Sequence, residues 1–214
     1  SCFKHQSSQN MASIFFDDQE YIDISIGHLP HWEQKNRLQF VTFRLSDSLP
    51  QSFLQEIKNR KEAFIKFHPK PWDTKTKCEF SKLTSSFEDR MLDKGLGSCI
   101  LKQEDIRRIV ISSLEYYDNI KYSLHAYVIM PNHIHMLILP LEAFKIKDLL
   151  SSIKRFTAVK INKLLHTNGP VWQSESWDRI VRNEIHYKSC IQYIRNNPKR
   201  LQKEEYHLGG FMIE

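Results

Sequence analysis

"YSLHAYVIMPNHIHMLILP", residues 122–140, decides the fold. Two apolar runs rich in β-branched and aromatic residues flank a Pro-Asn pair. Pro131 has no N–H to give to a ladder and Asn132 accepts tight turns, so the pair predicts a hairpin between strands at 122–130 and 133–140. Side chains alternate along a strand. His133, His135, Leu137 and Leu139 therefore share one face, and Ile134, Met136 and Ile138 the other. A strand that is apolar on both faces is expected to be central and buried. The two histidines, with Cα atoms ~7 Å apart, then need partners, because an unpartnered buried polar group costs stability. Packing and hydrogen bonds are one answer, and a shared metal ion is another. With 10 histidines in the chain, an H-x-H pair arises easily by chance, so the pair alone does not choose.

Working outward, "LQFVTFRLS" (38–46) reads as a strand and 52–67 as a helix with apolar residues at helical spacing. The stretch 68–98 is mixed and reads as an irregular insertion. Ile106, Ile109, Val110, Leu114 and Tyr117 lie on one face of a helix over 104–118. A long amphipathic helix spans 144–166, ended by Gly-Pro. Residues 171–181 predict a strand with a bulge or bend. A last helix runs over 183–197, with Asn183 as N-cap and Pro198 as stop. The order implies an α+β fold, a central antiparallel sheet with helices on one face, of ferredoxin-like type. Residues 1–27 read as an N-terminal extension, 28–200 as a single domain and 201–214 as a C-terminal tail.

Composition narrows the class. Hydrophobic content of 41% and aromatic content of 12% exclude a disordered chain. No apolar run approaches the ~20 residues of a membrane helix, and "SCFKHQSSQN" lacks a signal-peptide core. The four cysteines are scattered, which fits free thiols in a reducing cytoplasm and argues against a zinc–cysteine site. A net charge of +6 mildly favours a polyanionic partner.

A metal held by two histidines needs a third group. In "QYIRNNPKR" (192–200), Tyr193 and Asn197 are four apart and share a helical face. Such a pair is most often structural, but an amide oxygen is a proper ligand for hard divalent ions. If that helix crosses the face carrying His133 and His135, Asn197 can complete a His/His/Asn site with Tyr193 one turn away. Pro198 disfavours helical backbone at Asn197, so the helix should end there.

With these residues in hand, the chain resembles the REP-associated tyrosine transposases of the HUH single-strand nuclease superfamily. "HLPHW" (28–32), "FVTFRLSDSLP" (40–50), "YVIMPNHIHMLILP" (127–140), "SIKRFTAVKINKLL" (152–165), "GPVWQSESWDRIVR" (169–182) and "YIRNNP" (193–198) carry the resemblance, in the family's order. It implies that His133 and His135 are the HUH pair, that Asn197 is the third metal ligand and that Tyr193 is the nucleophile. It implies Mg2+ or Mn2+ as cofactor. The implied substrate is single-stranded DNA, often beside a palindromic hairpin, cut through a 5′-phosphotyrosine. The protein would act as a monomer or homodimer, away from membranes. "NPKRLQKEE" (197–205) departs from the family's usual continuation, which leaves the tail's role open.

The basic and aromatic residues are weaker signals. Lys154, Arg155, Lys160 and Lys163 lie on the long helix, where charge is often only solvated. Trp172, Trp177 and Arg179 sit in "VWQSESWDRI", and Arg195 follows Tyr193. Lys154, Arg155, Lys160, Trp172, Arg179 and Arg195 are the expected DNA contacts, Lys154 first. His125 reads as a satisfied core histidine. Two other functions compete with the transposase: a catalytically silent DNA-hairpin-binding protein, and a small zinc hydrolase built on the histidines.

Overall fold

A computed structural model describes residues 14–17, 23–26, 30–73, 75–76, 79–80, 83, 90–141 and 144–211. Its centre is a five-stranded antiparallel sheet in the order β6-β3-β5-β4-β7. The strands are β3 (Gln39–Arg44), β4 (Tyr122–Ile129), β5 (His133–Pro140), β6 (Trp177–Ile180) and β7 (His207–Gly209). A separate two-stranded ribbon pairs β1 (Asp23–Ile26) with β2 (Pro30–Glu33). The helices are α1 (Gln51–Phe67), α2 (Glu104–Glu115), α3 (Ile146–Leu165) and α4 (Glu184–Asn196). Without β7, the strand order is that of a ferredoxin-like unit.

The β4–β5 hairpin forms as its sequence predicts. Met130 N–H donates to the His133 carbonyl at 2.9 Å across the Pro-Asn turn. β5 is the middle strand of the sheet and is buried almost throughout. Its even-numbered side chains, Ile134, Met136 and Ile138, join Val41, Phe43, Tyr127 and Ile129 in the larger core. α2 supplies Ile106, Val110 and Leu114 to that core, and α3 supplies Leu149, Leu150, Ile153 and Ile161. Each such buried side chain contributes ~1.5–3 kcal/mol.

The expected placement of helices on one face holds for α2 and α3 only. α4 lies on the opposite face, where Cys190 and Ile194 pack with Phe40, Ala126, Val128 and Leu137. The physical reason is that the sheet is apolar on both sides. The odd-numbered face of β5 also has to be covered, and the apolar stripe Tyr187, Cys190, Ile191 and Ile194 covers it.

Three further differences bear on the site. First, the 171–181 segment makes one bridge among the described residues, Leu45 with Trp172, before the chain bends and enters β6. Second, Asn197 keeps helical backbone (φ −54°, ψ −46°) despite the following proline, and the chain continues into a 3-10 turn over Asn197–Arg200. Third, β7, which lies in the expected tail, adds an edge strand to β4. "HLPHW" and the expected N-terminal extension lie partly outside the described residues, as does much of the expected 68–98 insertion. Among the described residues no helix is long and apolar enough to cross a membrane. Cys99 and Cys190 are free thiols, while Cys2 and Cys78 lie outside the described residues.

Candidate active site

Strand register builds the site. His135 stands opposite Thr42 of β3 and Val128 of β4, and His133 stands opposite Arg44. Both histidines lie on the α4 side, His133 1% and His135 0% exposed. Their ring centroids are 4.6 Å apart, with planes at 76°. His133 Nδ1 is 2.7 Å from Asn132 Oδ1, and His135 Nδ1 is 2.7 Å from Thr42 Oγ1. Both Nε2 atoms are buried without a hydrogen-bond partner among the described residues. Burial holds both rings neutral: it pushes His133 down to about 3. Burial also carries His135 well below its usual range, helped by His133 and by the Arg179 charge. A neutral ring whose Nδ1 donates presents a lone pair at Nε2, which is what a metal requires.

α4 brings the other two residues. Asn183 caps it, its Oδ1 accepting from His186 N–H at 2.9 Å. Tyr193 places its ring 5.1 Å from that of His135 and 5.7 Å from that of Phe40, near-perpendicular to both. Phe40 in turn stacks on His135 at 5.6 Å. Asn197 follows one turn later, and its Oδ1 is also buried without a hydrogen-bond partner among the described residues. The Asn197 side chain lies beside Asp93, where it works against the upward push of burial on that carboxyl.

His133, His135 and Tyr193 therefore share one packed face, with Asn197 on the next turn of Tyr193's helix. The donor set fits a divalent ion: two buried imidazole nitrogens and an amide oxygen, none of them hydrogen-bonded among the described residues. Among the described residues no group of three His, Cys, Asp or Glu side chains could hold a metal. Among the described residues a third protein ligand would have to be of another kind, such as the amide oxygen of Asn197.

The remaining expected contacts divide. Arg179 lies on the site's side of the sheet, its guanidinium 4.9 Å from the Phe40 ring and 5.0 Å from the Trp177 ring, with its outer surface exposed. Arg195 is exposed and stacks over Phe211 at 4.8 Å. Arg155 and Lys160 are exposed on α3, across the sheet from the histidines.

Lys154 and Trp172 do not fit the expectation of DNA contacts. Lys154 Nζ donates to the carbonyls of Gln173, Ser174 and Glu175 at 3.0, 3.1 and 3.2 Å. Its three N–H groups are thus engaged in holding that bend, and burial with the nearby Arg44 lowers its pKa to about 8. Trp172 is buried edge-on against Phe43, and its Nε1 donates to Thr157 Oγ1 at 2.8 Å. Its faces are covered by the core. His125 sits at a bulge in β4, its Nδ1 3.3 Å from the Tyr187 hydroxyl, as a core histidine should.

Phe40, Thr42, Asn132 and Asp93 escaped the sequence reading as site residues. Thr42 and Phe40 are legible only once β3 is registered against β5, and Asn132 had already been explained as a turn former.

Residues 99–197 match the family model described as "Transposase IS200 like", a segment that holds His133, His135, Tyr193 and Asn197. Among solved structures, the chain is similar to one of "the REP associates tyrosine transposase bound to a REP hairpin". The alignment covers 82% of this chain and 74% of that one, at 16% identity and a TM-score of 0.46. No curated protein matches.

Proposed function

We propose that this chain, whose residues 99–197 match the IS200-like transposase family model, is a metal-dependent single-strand DNA endonuclease and strand transferase with Tyr193 as nucleophile. The observation that carries the reading is a set of three buried acceptors without a hydrogen-bond partner among the described residues, His133 Nε2, His135 Nε2 and Asn197 Oδ1. They come from the central hairpin and from the helix whose Tyr193 ring contacts His135. Packing alone has no use for three such atoms, each costing ~1–3 kcal/mol when left unpaired.

Mg2+ or Mn2+ bound there would draw charge from the scissile phosphate and orient it for in-line attack. Few protein ligands plus water and phosphate suit Mg2+, and imidazole suits Mn2+ better. The chain's own residues do the rest. His133 and His135 stay neutral at physiological pH, so their lone pairs remain available. Phe40 and His135 hold the Tyr193 ring from two sides. The phenol, with a reference pKa of ~10, is a poor nucleophile in water and needs a phosphate already polarised.

In the step itself, Tyr193 Oη bonds to phosphorus and the bond from phosphorus to the 3′-oxygen breaks. The phenol proton passes to solvent and the 3′-oxygen gains one. One phosphodiester replaces another, so a 3′-hydroxyl can reverse the step and join strands without an external energy source. Arg179, beside Phe40, is the nearest expected contact for the DNA backbone. The hairpin beside the cut site rests on the sequence resemblance.

The test is incubation with single-stranded oligonucleotides carrying hairpins, in Mn2+, followed by denaturing electrophoresis. An SDS-resistant protein–DNA adduct that disappears in Tyr193→Phe is expected. An adduct that persists in that variant assigns the wrong nucleophile. Salt-sensitive binding with no adduct under any divalent ion would leave a DNA-binding protein only.

A further inference from the structure

Asn132 is fully buried at the hairpin turn and lies between two groups. On one side, His133 Nδ1 is 2.7 Å from its Oδ1. On the other, its Nδ2 donates to the Leu96 carbonyl at 2.9 Å. A backbone carbonyl only accepts, so it fixes which end of the amide faces it. The opposite orientation would press two carbonyl oxygens together. With the amide fixed, its oxygen faces the imidazole, and an amide oxygen also only accepts. The proton of the neutral ring must then sit on Nδ1.

We propose that Asn132 is a positioning residue for the metal site. Anchored by the Leu96 carbonyl, it locks His133 in the Nδ1–H tautomer and reserves the Nε2 lone pair for the ion. The metal part of this assignment rests on the proposed function; the tautomer part does not.

The experiment is a long-range 1H–15N correlation of the metal-free protein at pH 7, with a Mn2+ titration alongside. Wild-type His133 should show the Nδ1–H pattern. Asn132→Ala should mix the two tautomers and weaken Mn2+ binding ~10–100-fold, the usual cost of losing such a support. Asn132→Asp gives up the donor to Leu96 but keeps an acceptor facing His133, so Nδ1 should stay protonated. An Nε2–H pattern in the wild-type protein overturns the proposal whether or not any variant folds. Unchanged tautomer and Mn2+ affinity in Asn132→Ala overturns it as well. An Nδ1–H ring in a protein that takes up no Mn2+ supports the tautomer lock and contradicts the proposed function.

Discussion

His133 and His135 are basic groups kept from protonating. In the unfolded chain both take up protons below ~6.5. In the fold, burial holds His133 neutral down to about 3, and His135 is lowered well below its usual range. The unfolded state therefore binds more protons in that window. Stability should be full above pH ~6.5 and fall as the pH drops toward 3, with each histidine contributing up to ~1.4 kcal/mol per pH unit. Urea unfolding of the metal-free protein at pH 7, 6 and 5 measures this, and a His133→Gln, His135→Gln variant should lose less stability on acidification. At the same scale, Lys154→Met should destabilise the fold by about 2–4 kcal/mol, because three part-buried carbonyls lose a cationic donor. Chemical denaturation checks it. The histidine pair was legible in the sequence because strand alternation fixes which side chains share a face. The destination of Lys154 was not, because charge on a helix says nothing about which loop folds over it.

α4 is the element that makes a site out of a hairpin. Its N-cap and its stop signal could both be read from the sequence. Its side of the sheet could not, because that depends on how the chain leaves β6, and no local pattern encodes it. Asn183→Ala should remove the cap bond to His186 N–H and cost ~1 kcal/mol. Adduct formation should fall at temperatures where the wild type is still folded, with circular dichroism following the helix. β7 was illegible for a different reason: three residues including a glycine carry no periodicity. That glycine is required where it stands, since a Cβ on Gly209 would lie 2.5 Å from the Tyr127 ring and hydroxyl. Tyr127 is buried and donates to Glu115 at 2.7 Å, so it has little room to move. Gly209→Ala should therefore lower the melting temperature and raise hydrogen exchange along β7 and the neighbouring edge of β4.

Across the whole molecule, a sheet covered on both faces separates two tasks. α2 and α3 build the main core on one face, and the histidines, Tyr193 and Asn197 occupy the other. The basic residues are split accordingly. Arg179 borders the site, while Arg155 and Lys160 project from the far layer. Single-strand binding should weaken with salt, and Arg179→Ala should reduce both the affinity and the salt slope, the latter by about one. Arg155→Ala should change binding at the cleavage site far less, as fluorescence anisotropy across a salt series can show. The most direct test of the central claim is an anomalous-scattering map from crystals grown with Mn2+. The account predicts one strong peak bonded to His133 Nε2, His135 Nε2 and Asn197 Oδ1, facing the Tyr193 hydroxyl. A Mn2+ peak that binds elsewhere, leaving those three atoms without an ion, would contradict it.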